Sequence, residues 1–292
     1  MVVLLLLLAC ATPARAQLEE ILEPGTQVEK VLSGFQFTDG PVFSRLGYLL
    51  FSDIPRNRIL KYISGEPLQV FRENSNGANG LTFDHQGRLL ACEGGAGRVT
   101  RTEKDGSITV LAHKFDGKAL NAPNDIVYCI DGNTYFTDLR RRNAPPDPAK
   151  VEFSAVYQVT RQGELRLATR EPRGPNGVAL SANQQILYVA DYLGEKLWAY
   201  DLAPDGSLLR GRVMAEVPGG GDGLKTDAGG NIYVADGEGV LVFNSSGRRL
   251  GMIRTSESPS NLAWGDNYRT LYITARTSVY KVRLKVNGTR TF

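Results

Sequence analysis

Asn124–Asp138, NDIVYCIDGNTYFTD, is the stretch that decides the fold. A polar residue opens a short apolar run, Asp131-Gly132 turns the chain, and a second apolar run ends on an acid. Two strand-forming runs joined by Asp-Gly read as a β-hairpin. The same cadence returns at Asp39 (DGPVFSRLGYLLFSD), Asn79 (NGLTFDHQGRLLACE), Asn176 (NGVALSANQQILYVAD), Asp222 (DGLKTDAGGNIYVAD) and Ser260 (SNLAWGDNYRTLYITA). The six openers are separated by 40, 45, 52, 46 and 38 residues, a period that marks a propeller or a solenoid built from one unit.

Two further strands follow in most units, such as Arg98–Thr102 and Ser107–Ala112 around the Asp105-Gly106 turn. Four antiparallel strands per unit make a propeller blade. The sixth unit has only three strands before the chain ends, while 28–32 forms a lone strand ahead of the first opener. That N-terminal strand is therefore expected to complete the last blade and close the ring, which removes exposed edges. The expected architecture is all-β: a six-bladed β-propeller of four-stranded antiparallel blades over residues 28–284. A lead at 17–27 and a tail at 285–292 flank it. The longest departure from the repeat is 139–155, LRRRNAPPDPAKVEFSA, whose Pro and Arg content argues against a strand. It reads equally as a lid over a substrate and as a plain surface excursion.

The chain has 292 residues, 42% of them hydrophobic, enough for a full-sized core. Its net charge of +3 is scattered except at Arg140, Arg141 and Arg142. No basic stripe with interleaved aromatics is present, which argues against a nucleic-acid partner. Residues 2–9 (VVLLLLLA) are apolar but too short to span a bilayer. With Ala14-Arg15-Ala16 before Gln17 they read as a signal peptide over 1–16, hence an exported, periplasmic or secreted protein. Leu-Leu-Ala-Cys ending at Cys10 offers the alternative of a lipid anchor. Cys92 and Cys129 sit at different places in their repeats and read as small buried hydrophobes rather than a disulfide.

Radial repetition brings equivalent positions together. The openers Asp39, Asn79, Asn124, Asn176 and Asp222 would then present carboxylate and carboxamide oxygens around one axis. Such donors suit a hard divalent cation, most plausibly Ca2+, with Mg2+, Mn2+ or Zn2+ as alternatives. Their lack of His and Cys argues against a dedicated tetrahedral zinc site. Any single opener also reads as a turn former; the shared register is what points to metal. The acids that end the second runs, Asp53, Glu93, Asp138, Asp191 and Asp236, should border the same mouth. Each reads as a turn cap or a ligand contact, and Asp138, beside the 139–155 insert, is the foremost of them for substrate or water. His85 and His113 read as surface residues. No Gly-x-Ser-x-Gly elbow occurs, which disfavours an acyl-enzyme. Gly219-Gly220-Gly221 leads into no helix, so it reads as a close backbone approach to the axis rather than a phosphate loop.

On APNDIVYCIDGNTYFTD, GPNGVALS and GDGLKTDAGGNIYVAD the chain resembles the regucalcin/gluconolactonase family of six-bladed propellers, over about Val28 to Leu284. The resemblance implies a divalent metal, usually calcium, on Asp39, Asn176 and Asp222, with Asn124 contacting metal, water or substrate and Asn79 at a variable position. It implies a lactone hydrolase in which the cation polarises the carbonyl and a carboxylate assists water, Asp222 before Asp39. A phosphotriester or aryl-ester hydrolase is the runner-up. A non-catalytic propeller with a structural metal, binding a ligand or partner, is the other class. The family's usual first-blade Glu is Asp39 here, and Leu139-Arg140-Arg141-Arg142 replaces the family's common sequence after the Phe-Thr-Asp run.

Overall fold

The computed structural model describes residues 18–140, 143 and 145–290. The stretch read as a signal peptide, with Cys10, lies outside them, as do Arg141 and Arg142 of the basic cluster.

The repeat folds as expected, into six four-stranded antiparallel sheets. The innermost strands are Thr38–Phe43, Ala78–Phe83, Pro123–Tyr128, Pro175–Leu180, Leu224–Thr226 and Pro259–Gly265. They pack against one another around the axis. The second strands Leu49–Asp53 and Thr134–Asp138 are buried at every position, and that of blade 4 at all but Ile186. A strand covered on both faces by neighbouring blades needs the near-continuous apolar run that the sequence shows. Outermost strands such as Gln69–Arg72 and Leu165–Thr169 have no buried position.

The core is divided among the blade interfaces. One apolar cluster joins blades 2 and 3 through Cys92, Ile126 and Phe136; another joins blades 6 and 1 through Tyr272, Val279 and Phe51. The last interface is thus built like the others.

Closure occurs as predicted. Glu29–Ser33 pairs antiparallel with Ser278–Arg283, Lys30 opposite Tyr280, and becomes the outer strand of blade 6. Glu257 ties this seam: it accepts hydrogen bonds from Lys30 (2.9 Å), Ser278 (2.5 Å), Tyr280 (2.9 Å) and the Thr277 amide (2.8 Å). Both flanks are packed rather than loose. Ile21 is buried in the cluster between blades 5 and 6, and the Lys285 amide donates to its carbonyl.

The repeat did not foretell a two-stranded ribbon, Lys114–Phe115 with Lys118–Ala119, between blades 2 and 3. Lys150, in the 139–155 insert, bridges to its Ala119. Cys92 and Cys129 are buried free thiols. His113 is exposed as expected, whereas exposed His85 also stacks on Tyr128, with 2.5 Å between Nδ1 and the phenol oxygen. No helix among the described residues is long and apolar enough to cross a membrane.

Candidate metal centre at the propeller axis

Each opener sits where an inner strand slips out of register with its partner. The slip falls between Asp39 and Val42, Ala78 and Leu81, Pro123 and Ile126, Pro175 and Val178, and Pro259 and Asn261. In blade 5 the regular ladder starts only at Leu224, after Asp222. A bulge breaks the strict alternation of side chains and re-aims them. Consecutive residues can therefore both serve the axis.

The residue after the opener is Gly in four of the six blades, namely Gly40, Gly80, Gly177 and Gly223. The other two are Asp125 and Asn261. A β-carbon on Gly80 would lie 2.6 Å from Asp125 Oδ1, and one on Gly223 would lie 2.0 Å from Asn261 Cγ. The glycines thus leave room for these two side chains. Asp125 is 2% exposed and accepts the Val178 amide of the next blade through Oδ2 (3.1 Å). Asn261, also 2% exposed, accepts the Leu262 amide (2.8 Å) and donates to Asp39.

Three carboxylates consequently interact at the axis. Asp39 is 3% exposed. Burial pushes its carboxyl up to about 7; the Gly40 amide (2.6 Å), Asn261 and Lys225 pull it down, while Asp125 adds to the rise. Asp222 keeps some accessible surface but is crowded by protein, and desolvation raises its pKa well above the ordinary range. The charges of Asp39 and Asp125 raise it further, and Asn176 and Arg276 oppose them. Carboxylates with elevated pKa values are desolvated charges that lack sufficient protein compensation.

The carboxamides add neutral oxygens. Asn176 donates to Asp222, yet its own Oδ1 is buried with no hydrogen-bond partner. Asn79 Oδ1 is likewise buried and unpartnered. Asn124 is partly exposed beside Asp125. Ser260 is spent on the Thr38 carbonyl (2.6 Å) and on Thr274, so Asn261 rather than the opener supplies blade 6's axial side chain. Among the described residues no three His, Cys, Asp or Glu side chains form a metal cage; the donor set is a mixture of carboxylates and carboxamides.

The second ring is structural at most of its members. Asp138, fully buried, accepts the Asn121 amide (2.9 Å), the Asn121 side chain (3.1 Å) and the Ala122 amide (2.7 Å). It staples the loop that enters blade 3's inner strand, and the expectation that it meets substrate or water finds no support in that placement. Asp53 holds the amides of Gln36 and Phe37, and Asp191 those of Arg173 and Gly174. Glu93 pairs with Arg72 and Arg98. Asp236 differs, because its Oδ1 has no partner. Gly219 and Gly220 fit closely against Asp236 and the Tyr192 carbonyl, so the first two glycines of the run make room for that rim rather than for the axis.

Two cavities bear on the inner strands that carry the openers. One, about 480 Å³, lies between Gly94-Gly95, Asn121-Ala122 and insert residues including Pro145 and Lys150. Its wall is the loop leading into Asn124. The other, about 30 Å³, continues along the axis between apolar inner-strand side chains such as Leu81, Ile126 and Ala263, beside Lys225 and Thr289.

Residues 37–277 match the family model described as SMP-30/Gluconolactonase/LRE-like region. The gluconolactonase of Zymomonas mobilis is 28% identical, over 93% of this chain and 85% of that protein. The diisopropyl-fluorophosphatase of Loligo vulgaris is 25% identical, over 90% and 94%. A solved gluconolactonase from Xanthomonas campestris superimposes with a TM-score of 0.85 at 30% identity, covering 92% of this chain and 93% of that one.

Proposed function

The chain belongs to the SMP-30/gluconolactonase/LRE-like family, and on that premise we propose that it is a lactone hydrolase with a divalent cation, Ca2+ foremost, held by Asp39, Asn176 and Asp222. The observation that carries this reading is Asn176: its amide end is engaged by Asp222 while its buried oxygen has no donor. A buried, unsatisfied oxygen costs free energy unless something positive meets it. Desolvated carboxylates alongside it make a donor set fit for a hard cation.

A divalent ion bound there supplies Lewis-acid polarisation of the lactone carbonyl. The protein's residues do the rest. Asp222 takes the proton from the attacking water. As the ring C–O bond breaks, it returns that proton to the leaving ring oxygen, and lactone plus water becomes the hydroxy acid. Asp39 is the second candidate for this role. Asn124, partly open to the mouth, orients the water or the substrate. The 480 Å³ cleft walled by Asn121 and Ala122, on the loop leading into Asn124, receives the substrate's body.

Base uptake at constant pH, measured on a panel of sugar and aliphatic lactones with and without chelator, tests the reading. Turnover that chelator abolishes and Ca2+ restores supports it. An intact fold with no turnover on any lactone sinks it and favours a binding propeller. The resemblance to the diisopropyl-fluorophosphatase makes phosphotriesters and aryl esters the second panel.

A further inference from the structure

The axis gathers three carboxylates, which when ionised together carry more charge than a divalent ion balances. Asp39, Asp125 and Asp222 come from blades 1, 3 and 5 and interact with one another. Lys225 follows Asp222 by three positions on the innermost strand of blade 5. Its ammonium donates to the Leu224 carbonyl (2.9 Å) and to Asn261 Oδ1 (3.4 Å). Asn261 in turn donates to Asp39, so one carboxamide links the ammonium to the carboxylate.

Lys225 also lines the narrow axial cavity, whose nearby walls are Val42, Leu81, Ile126, Ala179 and Ala263. A charged amine against such walls is costly unless negative charge lies close by. The other cation acting on Asp222, Arg276, is exposed at the rim and lies over Phe37 at 5.9 Å, where water and salt screen it. Lys225, half-buried, is tethered by its bonds to the Leu224 carbonyl and Asn261.

We propose that Lys225 is the fixed third positive charge of the axial centre and that it makes the centre selective for a divalent over a trivalent ion. Two charges from the ion and one from Lys225 match three carboxylates. With a trivalent ion the centre is over-charged, and the ammonium repels that ion more strongly than Ca2+. The inference rests on the reading above that the axis takes a cation, but not on which reaction follows.

The test is calorimetric titration of Ca2+ and of Tb3+ into metal-free wild type, Lys225→Met, Lys225→Gln and Lys225→Arg, with thermal melts to establish folding. Removing the charge is expected to raise the preference for Tb3+ over Ca2+ by about tenfold or more, because a fixed charge weights the trivalent ion more heavily. Lys225→Met and Lys225→Gln should shift alike, and Lys225→Arg should stay near wild type. A Met or Gln variant that folds and keeps its ion preference within about twofold of wild type overturns the proposal. So does a Gln variant that matches wild type while Met does not, since that marks a hydrogen-bonding role instead. Wild type that binds neither ion removes the axial cation and this inference together. Ion binding without lactone turnover leaves this inference standing and removes only the assigned reaction.

Discussion

Gly223 lies so close to Asn261 that a β-carbon on it would stand 2.0 Å from the Asn261 carboxamide carbon. The absence of a side chain in blade 5 therefore sets the position of a side chain in blade 6, and through it the donor to Asp39. Gly223→Ala should push Asn261 aside. We expect a stability loss of about 1–3 kcal/mol, in the range of overpacked cores, and a fall in Ca2+ affinity of about tenfold. Gly237→Ala, where an added β-carbon meets nothing, is the control. Melting curves and calorimetry on the pair read both effects.

Asp222→Asn keeps the shape of the side chain and removes its basicity. Lactone turnover should drop by about a thousandfold or more, as expected when a general base and a charge at the reacting centre go together. The melting temperature of the metal-free protein should hold or rise, because a desolvated carboxylate has been neutralised. A variant with wild-type rates would refute the assignment of the base.

The elevated Asp39 carboxyl gives the metal-free protein a definite pH dependence. Its folded value of about 7 lies above the unfolded value of about 3.9. Between these values the native state binds more protons than the unfolded chain, so stability falls as pH rises through the window. Protein in chelator should be more stable at pH 5 than at pH 8, by an amount of order a few kcal/mol. Asp39→Asn should flatten that slope. Added Ca2+ should stabilise more at pH 8 than at pH 5, since protons compete with it. Denaturant unfolding at the two pH values, with and without Ca2+, measures all three.

Glu257 governs closure. Its partial burial would raise its pKa, but hydrogen bonds from Ser278, Lys30 and Thr277 overcome that and hold it well below the usual carboxylate range. A depressed pKa stabilises the fold above about pH 4 and ceases to as pH falls below it. Glu257→Ala should lower stability by roughly 1–3 kcal/mol at neutral pH, with the deficit shrinking in acid. It should also speed hydrogen exchange at Glu29–Ser33 before other blades open. Uniform exchange across the six blades would show that the seam is no weaker than the rest.

Much of the centre was legible because propeller symmetry turns a spacing in the chain into a ring in space. From register alone the openers Asp39, Asn79, Asn124, Asn176 and Asp222 could be picked out as a group, and the family resemblance singled out Asp39, Asn176 and Asp222. Asp125 and Asn261 were not, although each stands where the opener-Gly pattern is broken. In a regular strand the residue after an opener faces away from it; only the bulge lets both serve the axis. Asp138 shows the other side of the same symmetry. Its position at the mouth was readable, but its engagement by the amides of Asn121 and Ala122, repeated at Asp53 and Asp191 by the loops before their own blades' openers, shows only in the folded chain.

The amino-acid order by itself determined six hairpin-led units, the N-terminal strand that completes the sixth, and the oxygen chemistry of the openers. Periodic apolar runs and turn residues are local properties that need no partner to be recognised. Which oxygens are left without donors, which acids are consumed by loop amides, and where the Lys225 ammonium comes to rest were decided only when the blades closed. Those outcomes depend on burial and on contacts across blade boundaries, between residues that share no neighbourhood along the chain.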